Sequence, residues 1–176
     1  MQVSFEKTLE SIWFKGVAAY RSGIRTADAM FDEQDVHFLK TIGQTTQEFF
    51  DYAEDYVRGG DPDFPDVLAV AFIRKDYFEH RQNSIASDFR VIPDSLPPKA
   101  EELKGIVWLP RIIIKAHAKL RGELPPEIMY GCGGDRRFFK ENNVTAAEFL
   151  AASLVYEGSP DKLWSWVKSR RDRIAD

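Results

Sequence analysis

At 176 residues, with 44% hydrophobic, 13% aromatic and 30% charged side chains, the chain has enough apolar material for one packed domain and too much for a disordered segment. No apolar run approaches the roughly 18 to 20 residues of a membrane helix, and residues 1–9 show no secretory signal, which predicts a cytoplasmic protein without a membrane partner. The net charge of −4 argues against nucleic acid as a partner, and the single cysteine, Cys132, excludes an internal disulfide and a cysteine zinc site, so no cofactor is predicted.

The first half of the sequence predicts four helices, over residues 5–20, 33–42, 45–59 and 66–82. Ser4 and Asp32 are of the residue types that cap a helix N-terminus, and Gly43 stands where a left-handed terminating residue belongs. Thr45 and Glu48 have the spacing of a capping box, in which two side chains satisfy free backbone donors at the helix start. The last of the four helices has hardly any polar face over its first half, which predicts a course through the core.

Residues 83–98 contain three prolines and no periodic apolar pattern, so we interpret them as a connector. Beyond them, the sequence predicts helices over residues 109–121, from Asp135 through Phe139, from Thr145, and from Pro160 through Val167. Thr145 and Glu148 repeat the capping box. No segment sustains an alternation of apolar and polar residues, so a sheet is not expected.

A shift of the sequence by 100 residues brings seven of 22 consecutive positions into identity without a gap. The matched residues are Asp35, Phe38, Lys40, Thr45, Glu48, Phe49 and Tyr56 with Asp135, Phe138, Lys140, Thr145, Glu148, Phe149 and Tyr156. Chance supplies roughly one or two identities in such a window, and both capping boxes fall in register, so we interpret the match as a repeat. The predicted fold is all-α, a single helical domain over residues 1–176 formed by two degenerate repeats, 4–82 and 99–174, related by a pseudo-twofold axis. The alternative is that shared capping rules alone produce two similar helix pairs.

The second half carries a pattern of residues that resembles a known family. The pattern comprises Leu109-Pro110-Arg111, Lys115, Ala118, Gly122, Tyr130-Gly131-Cys132, Asp135, Phe138, Glu148-Phe149 and Trp166-Val167. Together with residues 20–25 and 74–78, it resembles the bacterial domain-of-unknown-function 5069 family. Two positions depart from the pattern, because Ile114 stands where an acid is expected and His117 where an arginine is usual. The resemblance implies a bacterial origin and supports the fold, and it names no reaction.

The glycine-rich segment 130–137 is the strongest candidate for a binding site. Its three glycines let consecutive backbone donors converge, and the helix that follows adds positive potential at its N-terminus, so a small anion fits there. Arg111 and Lys115, four residues apart on one helix face, add two cations. The predicted ligand-binding residues are Arg111, Lys115, Tyr130, Cys132, Asp135 and Arg136. The alternative is a tight turn in which the glycines supply unusual dihedral angles and the arginines are solvated.

Cys132 is a candidate reactive thiol, since a helix N-terminus and neighbouring arginines favour the thiolate form. The sequence places none of His37, His80 and His117 as its base. The alternative is a buried, unreactive thiol.

Two charged segments carry further hypotheses. Asp51, Glu54 and Asp55 lie within one helical turn, a spacing that can hold magnesium, and the alternative is an exposed acidic face. The charged residues 74–81 are interpreted as a solvated helix end whose charges pair with one another.

Three functional hypotheses follow from the sequence. The first is binding of a small anionic ligand at segment 130–137. The second is a protein-interaction or homodimerisation module that uses aromatic surface and takes no ligand. The third is a metal-assisted enzyme that uses Asp51 and Asp55. No catalytic residue is assigned, so the sequence does not decide whether the protein is an enzyme.

Overall fold

The computed structural model of the protein describes residues 4–173. It is mostly helical, with 64% of these residues in helices and one small two-stranded sheet, which confirms the predicted helical class. Within this described stretch, no helix combines the length and the apolar character that crossing a bilayer requires. The chain divides into two compact units, Met1–Ile85 and Ala86–Asp176, and the division falls inside the predicted connector.

The first unit contains α1 (Phe5–Arg21), α2 (Ala27–Met30), α3 (Glu33–Thr41), α4 (Thr46–Gly59) and α5 (Phe64–His80). The predicted caps are confirmed, because the side chains of Ser4, Asp32 and Thr45 accept backbone hydrogen bonds at the starts of α1, α3 and α4. Glu48 completes the capping box of α4. Gly43, which follows α3, has a φ of 69°, the left-handed conformation that glycine adopts without strain. The single turn α2 was not predicted.

The core of the first unit forms where α1 packs against α4 and α5. Most of the apolar residues of α1 that recur at helical spacing are buried, as the sequence predicts, among them Leu9, Ile12 and Val17. Leu39 of α3 and Phe49 of α4 are also fully buried. Removing each such side chain from water contributes about 1.5–3 kcal/mol, so this stripe is a main source of the unit's stability.

Two predictions about α5 are wrong. Val67 and Ala71 are buried, but Phe72 is 61% exposed, so α5 has one solvent-facing side and does not run through the core. The prediction was wrong because a continuous apolar stretch does not show which of its faces packs. Arg74, expected at a solvated helix end, is buried and donates a hydrogen bond to Gln82 Oε1 at 2.7 Å.

The second unit contains β1 (Glu102–Leu103), β2 (Ile106–Val107), α6 (Leu109–Arg121), α7 (Gly133–Glu141), α8 (Ala146–Val155) and α9 (Pro160–Asp172). The bounds of α6 and the capping box of Thr145 and Glu148 are confirmed. Helix α7 begins at Gly133, two residues before the predicted Asp135. The antiparallel hairpin of β1 and β2 contradicts the expectation of no sheet, because strands of two residues are too short to show an alternating pattern.

Helix α8 lies at the centre of the second unit, where it contacts α6, α7 and α9. Its residues Phe149 and Leu150 are fully buried together with Leu109 and Ile112 of α6 and Val167 of α9. Strand β1 contacts α6, so the hairpin packs on the same helix as α8. The connector holds one short 3-10 turn, Pro93–Ser95, and is otherwise irregular up to β1, as predicted.

Candidate functional site

Asp135 is the centre of the segment that the sequence singles out. It is the third residue of α7, and its side chain is fully buried. One carboxylate oxygen accepts a hydrogen bond from Trp108 Nε1 at 2.9 Å, and the other accepts one from Gly131 N at 2.9 Å. The second oxygen also forms an ion pair with Lys115 Nζ. A carboxylate buried to this extent requires an opposite charge and hydrogen bonds, and these three donors supply them.

The local sequence explains how these groups meet. Lys115 lies three residues after Ile112 and shares the buried face of α6, where its side chain is 3% exposed. Asp135 accepts a hydrogen bond from the backbone of Gly131, the residue before the N-cap of α7, and so anchors the loop in front of its own helix. Gly131 has a φ of 88°, and this left-handed residue lets the chain turn into α7.

The thiol of Cys132 lies beside the same lysine. Lys115 Nζ donates to Cys132 Sγ at 3.4 Å, and Cys132 is half-buried. The lysine is therefore held between a thiol and a carboxylate. Over the described residues, none of the three histidines is bonded to this thiol, so the structure offers no histidine base for a nucleophilic cysteine.

The other three predicted residues donate hydrogen bonds to backbone carbonyls. Arg136 binds a carbonyl of its own loop at 2.7 Å. Tyr130 binds the carbonyl of Ala146 at 2.7 Å, and Arg111 binds that of Pro97 at 2.8 Å. The structure therefore brings Lys115, Cys132 and Asp135 into direct contact at the start of α7, with Tyr130 and Arg136 on the same loop and Arg111 tied to the connector. We call the contacts around Asp135 the buried framework.

Gly134, the second residue of α7, allows the Trp108 ring to pack closely against this helix. A Cβ atom on Gly134 would lie 2.6 Å from two carbon atoms of the Trp108 ring, which is closer than real contacts of this kind. The ring fits against α7 because this position lacks a side chain. The predicted role of converging donors for an anion is therefore not needed to explain Gly134.

A basic groove lies between α7, α9 and the hairpin. Its cavity of about 690 Å³ is lined by Gly105, Ile106, Val107, Arg137, Lys140, Glu141, Asn142 and Arg171. The three cations, Arg137, Lys140 and Arg171, are all exposed. In residues 4–173, no carboxylate lies within 4.0 Å of any of these three cations to neutralise it. As far as residues 4–173 show, the groove therefore brings together three cations that form no ion pair and one acid, Glu141.

A smaller cavity of about 250 Å³ adjoins the basic groove. The two cavities share Val107, Arg137 and Glu141, and the smaller one is also lined by Lys99, Trp108, Gly134 and Phe138. Trp108 thus belongs both to the wall of this side cavity and to the buried framework.

Sequence reasoning found Arg137 as part of segment 130–137 but missed Lys140 and Arg171. Arg137 and Lys140 lie three residues apart on α7, which is the spacing of neighbours on one helix face and was a usable signal. Arg171 lies in the last turn of α9, where a cation complements the negative end of the helix dipole and by itself indicates no binding site. Its position beside α7 depends on tertiary packing, which no local pattern reveals.

Asn142 is the buried polar residue of the groove wall. It follows α7 directly and is 4% exposed. Its Nδ2 donates to the carbonyl of Phe138 at 2.8 Å. Its Oδ1 is buried and accepts no hydrogen bond from the described part of the chain. A residue of the groove wall therefore carries a buried acceptor that has no donor among residues 4–173.

The acidic residues of α4 do not form the exposed face that the sequence suggests. Asp51 is half-buried and accepts a hydrogen bond from Gln47 Nε2 at 2.7 Å. Burial raises the pKa of Asp51 to about 7, and the charges of neighbouring acids act in the same direction. Glu54 accepts a hydrogen bond from Tyr20 and pairs with Arg58 at 3.0 Å. Within the described ranges, no group of three or more His, Cys, Asp or Glu side chains is arranged to hold a metal ion.

Comparisons with protein-family models, curated proteins and solved structures found no match to this chain. The resemblance to a bacterial family therefore stays a prediction.

Lys115→Met is expected to lower the free energy of unfolding by about 3–5 kcal/mol, because it leaves the Asp135 carboxylate buried without its opposite charge. Lys15→Met is the matched control. Lys15 binds Asp32 at 2.7 Å and Asp35 at 2.5 Å, but its side chain is 39% exposed, so its loss is expected to cost about 0–1 kcal/mol. Urea denaturation of both variants measures the difference. Equal losses in the two variants would show that burial does not set the strength of the Lys115 pair. The double variant Lys115→Met/Asp135→Asn should recover part of the lost stability.

Asp51→Asn is expected to change how stability depends on pH. The pKa of Asp51 rises from 3.8 to about 7 on folding, so the folded state binds a proton that the unfolded state has released between these values. Asp51 therefore lowers the free energy of unfolding of the wild type progressively as pH rises from about 4 to about 7. Above that range its effect is constant. Denaturation curves at several pH values should show the variant gaining stability relative to wild type across this window. A constant difference between the two proteins would contradict the assigned pKa.

Proposed function

We propose that the protein binds a small anionic compound in the basic groove of the second unit. The observation that carries this proposal is the set of three cations, Arg137, Lys140 and Arg171, around one cavity, none of which forms an ion pair with a carboxylate of residues 4–173. A phosphate or carboxylate accepts charge-assisted hydrogen bonds from such groups. The cavity volume of about 690 Å³ lies within the range of small-molecule sites, roughly 300–1,000 Å³.

The charge distribution along the chain supports this location. Residues 1–85 carry 15 acidic and 9 basic side chains, whereas residues 86–176 carry 13 acidic and 15 basic ones. The negative charge of the whole chain therefore comes from the first unit, and the second unit has a small excess of cations. A net charge of −4 is for this reason no argument against an anionic ligand of the second unit.

The proposed site includes none of the six residues that the sequence predicts as ligand contacts. Lys115 is already paired with Asp135, and Arg136 and Arg111 donate to carbonyls, so an anion at the loop would have to displace these partners. The buried framework instead fixes the start of α7, and α7 presents Arg137 to the groove. In this proposal the loop supports the binding site, and the cations of α7 and α9 contact the ligand.

We also infer that the two units arose by duplication of one helical unit. Helices α3 and α7 each have nine residues and begin at positions 33 and 133, and the capping boxes begin at Thr45 and Thr145. The pair of Lys15 with Asp35 recurs 100 residues later as Lys115 with Asp135. Shared capping rules do not require this long-range ion pair, which favours duplication. The predicted twofold arrangement of the two units stays a prediction.

A protein-interaction module is the second candidate function, and an apolar patch of the second unit favours it. Phe89 and Ile92 of the connector are 60% and 66% exposed, and Ile114 of α6 is 39% exposed. All three line one cavity of about 430 Å³. Exposed apolar surface of this kind often marks a protein contact.

Phe89→Ser tests this alternative by sedimentation velocity over a range of protein concentrations. If the patch joins two copies, the wild-type mass should rise with concentration and the variant should stay monomeric. Lys162→Gln, a surface change outside the patch, serves as the control. A constant monomer mass for the wild type would speak against self-association.

Arg137→Gln and Lys140→Gln are each expected to weaken binding of inorganic phosphate by roughly three- to tenfold, because each removes one charge-assisted contact. Lys162→Gln is again the matched control, since it removes an exposed charge of the same unit outside the groove. Isothermal titration calorimetry at low and physiological salt measures the affinities. Absence of phosphate and carboxylate binding to the wild type, or an equal loss in Lys162→Gln, would overturn the proposed function.

A further inference from the structure

We propose that the ligand of the basic groove carries an aromatic ring beside its anionic group, and that this ring lies in the side cavity against Trp108. This inference rests on the proposed function, because it extends the same binding site into the adjoining cavity. The chemical class is an aromatic or heteroaromatic phosphate or carboxylate.

The side cavity runs along one face of α7. Four residues of this helix line it at spacings of three, four and seven positions, which place them on a single stripe: Gly134, Arg137, Phe138 and Glu141. The Trp108 ring rests on this stripe, because its Cζ2 and Cη2 atoms are the neighbours that a Cβ atom on Gly134 would meet at 2.6 Å. The ring therefore borders the cavity, and Trp108 is half-buried, so part of it is open to a ligand.

The orientation of the Trp108 ring is fixed by its neighbours. Its Nε1 donates to the Asp135 carboxylate at 2.9 Å, and the guanidinium carbon of Arg111 lies over the ring at 5.9 Å from the centroid. A contact surface that is ordered before binding loses little conformational entropy when the ligand arrives. Because the polar N–H group is already satisfied, the ring offers a ligand apolar and π surface, which another aromatic ring matches in an offset or edge-to-face contact.

The local backbone does not favour tryptophan at position 108. Trp108 precedes α6 with φ 73° and ψ −19°, and its side chain makes no capping hydrogen bond. Glycine and asparagine adopt this left-handed conformation at lower cost. In the first unit, Lys15 pairs with Asp35 although Thr8 stands 100 residues before Trp108, so an ion pair of this type does not require an indole. The wall of the side cavity is a role that only the aromatic ring fulfils.

The size and the charges of the side cavity suit an aromatic ring. Its volume of about 250 Å³ exceeds the roughly 150 Å³ of an apolar cavity that holds benzene. Lys99 lines it as an exposed cation that forms no ion pair within residues 4–173, and Arg137 lines both cavities. Because a cation within about 6 Å of an aromatic face is attracted to it, these side chains favour an aromatic ring over a saturated ring of the same size.

The test compares anions that differ only in the group beside the charge. Phenyl phosphate is compared with methyl phosphate and cyclohexyl phosphate, and phenylacetate with acetate and cyclohexylacetate, so that the two series separate a phosphate site from a carboxylate site. In titration calorimetry with the full chain, the wild type should bind the aromatic member of its preferred series about tenfold more tightly than the small member. It should bind the aromatic member about threefold more tightly than the cyclohexyl member.

The ratio of the affinities for the aromatic and the small member is the measurement for variants, because a general loss of anion binding lowers both affinities and leaves their ratio unchanged. Trp108→Leu removes the aromatic surface and should bring this ratio close to one. Lys99 lines the side cavity but not the basic groove, and Lys99→Gln should lower the ratio roughly two- to threefold. Lys162→Gln, which removes an exposed charge away from both cavities, is the matched control and should keep the wild-type ratio.

The indole N–H signal of Trp108 in the nuclear magnetic resonance spectrum of the wild type provides a second measurement. An aromatic ring beside the indole shifts this signal through its ring current. The shift should therefore appear with the aromatic member of the preferred series and be absent with the small member.

Three results would overturn the inference. Equal wild-type affinity for the aromatic and the small member of both series would remove the side cavity from recognition and leave the proposed anion binding intact. Equal affinity for the aromatic and the cyclohexyl member would reject an aromatic ligand. An aromatic preference that persists in Trp108→Leu, or that leaves the Trp108 signal unshifted, would place the ring elsewhere.

Failure of all six compounds and of inorganic phosphate to bind would instead refute the proposed function itself. If Trp108→Leu does not fold, the affinity ratio of Lys99→Gln and the indole signal of the wild type decide whether the ring lies in the side cavity.

Discussion

The ion pair of Lys115 and Asp135 joins α6 to α7 with both side chains almost completely withdrawn from water. The same carboxylate binds the indole of Trp108, which precedes α6, and the backbone of Gly131, which precedes α7. One side chain therefore fixes the starts of two helices. Because α7 carries Arg137 and Lys140, the geometry of the basic groove depends on this buried contact. In the structure Asp135, which the sequence predicts as a ligand contact, is occupied by contacts within the protein that fix the start of α7.

Burial distinguishes this pair from its counterpart in the first unit. Lys15 contacts Asp35 at the same separation along the chain, but it is partly solvated and shares its charge with Asp32. In the second unit the place of Asp32 is taken by Cys132, whose thiol accepts from Lys115. A buried pair is seldom a net source of stability compared with apolar packing, but it tolerates few alternative arrangements. Its main contribution to the second unit is therefore to fix the positions of α6 and α7.

The sequence predicts local features of this fold well, and long-range ones poorly. Helix starts at Ser4, Asp32 and Thr45 could be located because capping is decided within three or four residues. The hairpin was missed because its strands have two residues each, and the exposure of Phe72 was missed because burial depends on neighbouring helices. Within the site, Lys115 and Asp135 were both named, but the sequence gives no sign that they neutralise each other across 20 residues. Arg171 could not be joined to Arg137 and Lys140 for the same reason, since only the packing of the second unit places these cations around one cavity.

Trp108 belongs to both the buried framework and the wall of the side cavity in the second unit. Its indole nitrogen is held by the buried acid, and its ring lies against the bare backbone of Gly134 while forming part of the wall of the side cavity. A group that fills the side cavity therefore touches a side chain that is rigidly attached to the interior. A compound that binds this cavity only when the unit is folded therefore stabilises the junction between α6 and α7 against unfolding, because binding to the native state alone shifts the folding equilibrium.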